Sequence, residues 1–185
     1  ILLIVLFKNR SKLFKALNER MKKSAEKAKH PQKPNFLLWH GAQAVGTVMY
    51  AGKLKVRLQN NVGRLERPSI VLCNHGSFVD FLYAGMLVRK LKPHFIVARL
   101  YFYNNHLGRL LRNVGAFPKS MFATDLENAR NCMTVLREKQ YLAMMPEARL
   151  STVGRFEDIQ DATYAFLKKA GVSIYTVKIN GDYRT

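Results

Sequence analysis

Apolar and polar positions change rhythm along the chain, and the changes mark out elements. The sequence opens on seven apolar residues, Ile1 to Phe7. From Lys8 to His30 nine Lys/Arg stand against Glu19 and Glu26, with Leu13, Phe14, Leu17 and Met21 recurring at helical spacing. That pattern predicts a basic amphipathic helix, suited either to lying on anionic lipid or to packing an ordinary core face under a solvated charged one. "HPQKP" (30–34) interrupts it as a linker. "FLLWHGAQAVGTVMY" (36–50) is short for a bilayer span, which needs about 20 apolar residues, and predicts a buried or interfacial helix.

Shorter elements follow. "KLKVRLQ" (53–59) alternates like a strand. "SIVLC" (69–73), "HFIVARL" (94–100), "YLAMM" (141–145) and "SIYTVKI" (173–179) are compact apolar runs that predict strands. Between them "FLYAGMLVRKL" (81–91), "NHLGRLLRNVG" (105–115), "DLENARNCMTVLREK" (125–139) and "IQDATYAFLKKAG" (159–171) predict helices, with Asp125 near one start and Gly171 a C-cap candidate. Alternating strands and helices predict an α/β domain with a mainly parallel sheet flanked by helices. The division expected is an N-terminal hydrophobic and basic helical membrane-docking segment over 1–50 and an α/β domain over 51–185. Both ends read as cut from a longer protein. Ile1 to Phe7 would be either the tail of a transmembrane helix, with the basic cluster on the cytoplasmic side, or an apolar element packed on the domain.

Composition narrows the classes. At 185 residues the chain is long enough for a core, and 48% hydrophobic content argues against disorder. The formal net charge of +19 points to an anionic partner: nucleic acid, an anionic membrane surface or a phosphorylated substrate. No nucleic-acid-binding motif is present, and the basic residues alternate with long apolar runs rather than with an aromatic stacking platform. Cys73 and Cys132 give neither a disulfide framework nor metal-ligand spacing, and read as reduced core residues of a cytosol-facing protein.

Three segments hold candidate chemistry. In "CNHGSFVDF" (73–81), His75 follows a strand, where α/β folds gather functional groups. Ser77 and Asp80 match a capping box, so Asp80 can cap a helix start, orient His75, or do both. A His–Asp pair of this kind suits a general base that deprotonates a hydroxyl. No Gly-x-Ser-x-Gly nucleophile motif occurs, which favours direct attack by a substrate hydroxyl. In "MMPEARLST" (144–152), proline ends the strand and leaves Glu147 and Arg149 in a loop. There Arg149 would bind a phosphate, or the two would form an ordinary surface pair. "VGAFPKS" (114–120) reads as a Gly/Pro turn carrying Lys119, either a phosphate contact or a solvated cation. Between Asp80 and Asp125 no acid occurs, while Arg89, Lys90, Lys92, Arg99, Arg109, Arg112 and Lys119 do. That one-signed stretch would draw an anionic ligand.

"NHGSFVD", "GAFPKS" and "PEARLS", in this order, resemble the motifs of the 1-acyl-sn-glycerol-3-phosphate acyltransferase (lysophosphatidic acid acyltransferase) family. A fourth apolar block matches "VSIYTVKI" (172–179), so the likeness runs from about Pro68 to Ile179. It implies that His75 is the base, that Asp80 orients it, and that the freed hydroxyl attacks the thioester of acyl-CoA or acyl-carrier protein. Glu147, Arg149 and Lys119 would position the phosphate of a lysophospholipid acceptor. The resemblance implies no metal and no cofactor beyond the thioester, and docking at the cytoplasmic face of the cell membrane. Three positions depart from the pattern. Ala148 stands for the usual Gly, Leu150 separates Arg149 from Ser151, and Met121 stands where the second motif commonly ends in Arg. They leave open a different lyso-lipid acceptor, and the net charge alone would also allow a non-catalytic basic membrane-binding module.

Overall fold

The structure, a computed structural model, describes residues 19, 30–48, 57–77, 80–88, 90–120, 125–148, 150–151 and 158–180. The expected apolar and basic elements before His30 fall outside this set, apart from Glu19.

Five parallel strands form the sheet: β1 (Ser69–Cys73), β2 (His94–Ala98), β3 (Ala116–Lys119), β4 (Tyr141–Met144) and β5 (Ser173–Val177), in the spatial order β3-β2-β4-β1-β5. Among the described residues five α-helices flank it: α1 (Phe36–Gly46), α2 (Asp80–Leu87), α3 (Asn105–Asn113), α4 (Leu126–Arg137) and α5 (Asp161–Ala170). A 3-10 turn, Arg99–Phe102, follows β2.

Strand position explains strand composition. β4 and β1 are central, and their apolar runs are buried almost throughout because both faces are covered. β5 lies on an edge and alternates between half-buried and exposed positions. Successive side chains go to opposite faces. Val71, Phe95, Ala116 and Ala143 therefore pack with Trp39, Ala84, Val88 and Phe102 beneath α1, α2 and the 3-10 turn. Ile70, Phe117 and Leu142 pack with Cys132, Val135 and Leu136 of α4, and Phe166 and Leu167 of α5 join them. The result is three layers, with α1 to α3 on one face and α4 and α5 on the other.

The 36–50 run is a helix over Phe36–Gly46, begun by Asn35, whose side chain accepts the Leu38 N–H at 3.1 Å. It buries Trp39, stacked on Phe95 at 5.9 Å, and exposes Phe36, Leu37 and Val45. No helix among the described residues is long and apolar enough to cross a membrane.

Two elements differ from expectation. "VGAFPKS" is not a turn: only Val114 and Gly115 turn, and Ala116–Lys119 is the edge strand β3. Proline is tolerated there because an edge strand has one unpaired side on which a missing N–H costs nothing. Residues 57–59 of the expected 53–59 strand lie outside the sheet, with Leu58 exposed. Residues 53–56 are outside the described set.

Candidate active site

Parallel strands all end on the same side, so the loops after β1 and β4, which are neighbours in the sheet, meet at one edge. β1 ends at Cys73, and the next two residues carry the first part of the site. The Asn74 side chain bridges to the extension of β5. Its Oδ1 accepts the Ile179 N–H at 2.7 Å, and its Nδ2 donates to the Ile179 carbonyl at 3.0 Å. This pair copies a strand ladder one residue beyond the last β1–β5 backbone pairing at Cys73 and Val177. It fixes the chain immediately before His75.

His75 Nδ1 lies 2.9 Å from Asp80 Oδ2. The same oxygen accepts the Ser77 N–H at 2.9 Å. Asp80 thus caps the turn between β1 and α2 and at the same time hydrogen-bonds the imidazole. Its side chain is fully buried, while that of His75 is 26% exposed. An ionised carboxylate only accepts hydrogen bonds, so the Nδ1 proton faces Asp80 and Nε2 keeps its lone pair. An imidazole held in this tautomer can take a proton from a hydroxyl at Nε2, and the buried carboxylate stabilises the imidazolium that forms.

The loop after β4 is docked on the same histidine. Met145 to Ala148 form a turn closed by the Ala148 N–H donating to the Met145 carbonyl at 3.2 Å, and the Ser151 N–H donates to the His75 carbonyl at 2.9 Å. Glu147 is only 3% exposed, so it is not half of a solvated surface pair. Ala148 takes φ = 56°, the left-handed region that favours glycine. The backbone shape that a glycine would supply is thus present in spite of the alanine. Arg149 falls outside the described residues.

Lys119 is the last residue of β3, on the same edge of the sheet but three strands from β1, about 14 Å at the usual strand spacing. Its neighbours belong to α4. Burial pushes the Cys132 thiol up to about 12, with the Lys119 charge opposing. The following residue, Ser120, donates its N–H to Asp125 at 2.6 Å. Burial works to raise the Asp125 carboxyl, but the N–H groups of Ser120 and Asn128, the Ser120 side chain and Arg99 outweigh it. The group is held below the usual carboxylate range. Arg99, counted in the acid-free stretch, is committed to Glu127 at 3.3 Å and Asp125 at 3.7 Å.

The structure thus brings together His75, Asp80 and the loop that carries Glu147, and sets Lys119 apart. Asn74 and the Ser151 N–H were missed in the sequence. The only signal for either was an asparagine beside the histidine at a strand end. Among the described residues no three His, Cys, Asp or Glu are placed to hold a metal ion.

A family model described as "Acyltransferase" matches residues 53–180, a span that contains β1 to β5 and every site residue named above. No curated protein matches the sequence.

Proposed function

We propose that this chain, which belongs to the acyltransferase family, moves a fatty acyl group from acyl-CoA or acyl-carrier protein to the free hydroxyl of lysophosphatidic acid. The product is phosphatidic acid, made at the cytoplasmic face of a membrane as a step of phospholipid biosynthesis. The observation that carries the reading is the His75–Asp80 pair at the end of β1, with the loop after β4 bonded to the histidine's own carbonyl.

His75 Nε2 removes the proton from the acceptor hydroxyl as its oxygen attacks the thioester carbon. Asp80 holds the tautomer and supports the imidazolium. When the intermediate collapses, the thiolate leaves and takes a proton, and the histidine returns to neutral. Arg149 binds the acceptor phosphate. Glu147, buried beside it in sequence, sets the shape of the loop. Lys119 contributes positive charge from the far end of the same edge. The partners are an anionic phospholipid membrane, the lysophospholipid and the thioester, with no nucleic acid and no cofactor or metal. The apolar and basic segment over 1–50 docks the protein.

A second acceptor remains a reading because Lys119 lies three strands from His75 and Met121 replaces the usual Arg. A lyso-lipid without a free phosphate monoester would need less positive charge there.

The test supplies membrane-reconstituted protein with labelled acyl-CoA or acyl-carrier protein and a panel of lyso-lipids. Transfer to lysophosphatidic acid is expected, reduced about 10³-fold in His75→Ala, the middle of the usual range for loss of a general base. A His75→Ala variant with wild-type turnover would refute the mechanism. Transfer only to another lyso-lipid would select the second reading. No transfer to any acceptor would make the chain a membrane-binding module. Arg149→Ala should weaken acceptor use more than donor use.

A further inference from the structure

The three layers give the protein two unlike helical faces. On the α4 and α5 face acids and bases are interspersed: Glu127 and Asp161 lie in the first turns, and Arg137, Lys168 and Lys169 in the last. On the other face, α1 and α3 contain no acid at all, and α2 has only Asp80, which is fully buried. Large apolar side chains are nonetheless exposed on that second face. Leu100 and Tyr103 stand at the 3-10 turn after β2, and Leu107 and Leu110 on α3. Leu107 and Leu110, three positions apart, share one side of α3, while Leu100 and Tyr103 belong to the turn that precedes it. Arg109 and Arg112 are on the same helix. The patch starts at the end of β2, on the same sheet edge as His75, since β2 pairs β4 and β4 pairs β1. At its other end it meets α1: the Asn35 N–H donates to the Asn113 carbonyl at 2.7 Å, and Lys92 sits over the exposed Phe36 ring at 5.1 Å.

We infer that the 3-10 turn and α3 form a second membrane-contacting surface, on the α/β domain itself, which seats this face on an anionic phospholipid bilayer. The occupant follows from charge. Leucine and tyrosine among arginines and lysines, with no exposed acid on the flanking helices, match an interface of acyl chains beneath anionic headgroups. Tyr103 suits the boundary, with an apolar ring and a polar tip. The consequence for function is position: the edge that carries His75 is held at the lipid surface where a lyso-lipid resides. This inference rests on the membrane-docked reading above, and its test separates the two.

Single cysteines placed at Leu37 (α1), Leu107 (α3) and Tyr164 (α5) are labelled with an environment-sensitive thiol dye on the full chain. Cys73 and Cys132 are buried, so the introduced thiol reacts first. Each protein is mixed with phosphatidylcholine vesicles with and without phosphatidylglycerol, and with brominated lipid. The expected result is a blue shift and bromine quenching at positions 37 and 107 on anionic vesicles, lost in high salt, and neither at 164. A response at 37 alone overturns the α3 surface and leaves the N-terminal docking intact. No response at any position overturns both. An equal response at all three refutes a defined face, and a concentration-dependent shift at 107 without lipid assigns the patch to a second copy of the chain. As a second measurement, the double variant Leu107→Gln, Leu110→Gln should flot less with anionic vesicles by several-fold while keeping its circular dichroism, and unchanged flotation counts against the surface.

Discussion

One carboxylate oxygen, Asp80 Oδ2, serves both the Ser77 N–H and His75 Nδ1. The two services can be pulled apart. Asp80→Asn keeps an oxygen for the Ser77 N–H and for Nδ1 but carries no negative charge to stabilise an imidazolium. Under the proposed mechanism turnover falls on the order of 10³-fold while the urea midpoint hardly moves. Asp80→Ala loses the cap as well and costs about 1–3 kcal/mol of stability, read in the same urea titration. Ala148 offers a second residue-level test. A left-handed φ of 56° strains an alanine by about 1–2 kcal/mol, and glycine relieves this at an entropic cost of about 0.5–1 kcal/mol. Ala148→Gly should thus stabilise by up to about 1 kcal/mol, whereas Ala148→Val, branched at Cβ, should destabilise by more than that. Thermal unfolding of both variants decides the sign. His75 and Asp80 were legible in the sequence because their relation is local, five positions apart within one turn. The Asn74 bridge to Ile179 spans 105 positions, and the Ser151 bond to His75 uses backbone atoms alone, so neither leaves a sequence pattern.

Elements were readable where one force dominated. β1, β4 and β5 are apolar runs of strand length, and α4 and α5 are amphipathic and end in basic residues. β3 was not readable, since Pro118 and Gly115 are turn residues by propensity. Only the strand's place at the sheet edge, with the Asn128 side chain donating to the Pro118 carbonyl at 3.2 Å, makes it a strand. The 53–59 run shows the opposite failure, alternation whose described part meets no partner strand. Packing against propensity can be weighed at Gly108 on α3. A Cβ there would lie 2.8 Å from the Phe102 carbonyl oxygen, which is backbone and cannot swing aside. Alanine improves helix propensity by about 1 kcal/mol, but overpacking of this kind costs about 1–3 kcal/mol. Gly108→Ala is therefore expected to destabilise, and a raised melting temperature would show that α3 slides freely over the 3-10 turn.

At the scale of the whole molecule, two of the described groups, His94 and Asp125, respond to acid in separate windows. His94 opens β2, is 1% exposed, and hydrogen-bonds the Gly115 carbonyl at 3.1 Å. Burial holds it below its ordinary 6.5, with the Gly115 bond and Glu138 opposing and Lys33 assisting. The unfolded chain then binds the extra proton first, so stability is full above about 6.5 and declines as pH falls through the interval below it. Asp125, held below its ordinary 3.8, keeps its contribution until pH falls past that value. Urea midpoints should drop between pH 7 and pH 5, and His94→Gln should flatten that slope. A slope unchanged in His94→Gln would assign it elsewhere. The Asn74 bridge has a last consequence, in time rather than energy. The ribosome makes Asn74 long before Ile179, so a nascent chain halted before Val172 has β1 to β4 in hand but nothing to hold the strand end that presents its histidine. The edge that carries His75 would be finished only when β5 arrives, which hydrogen exchange at residues 74–76 in arrested chains would register as late protection.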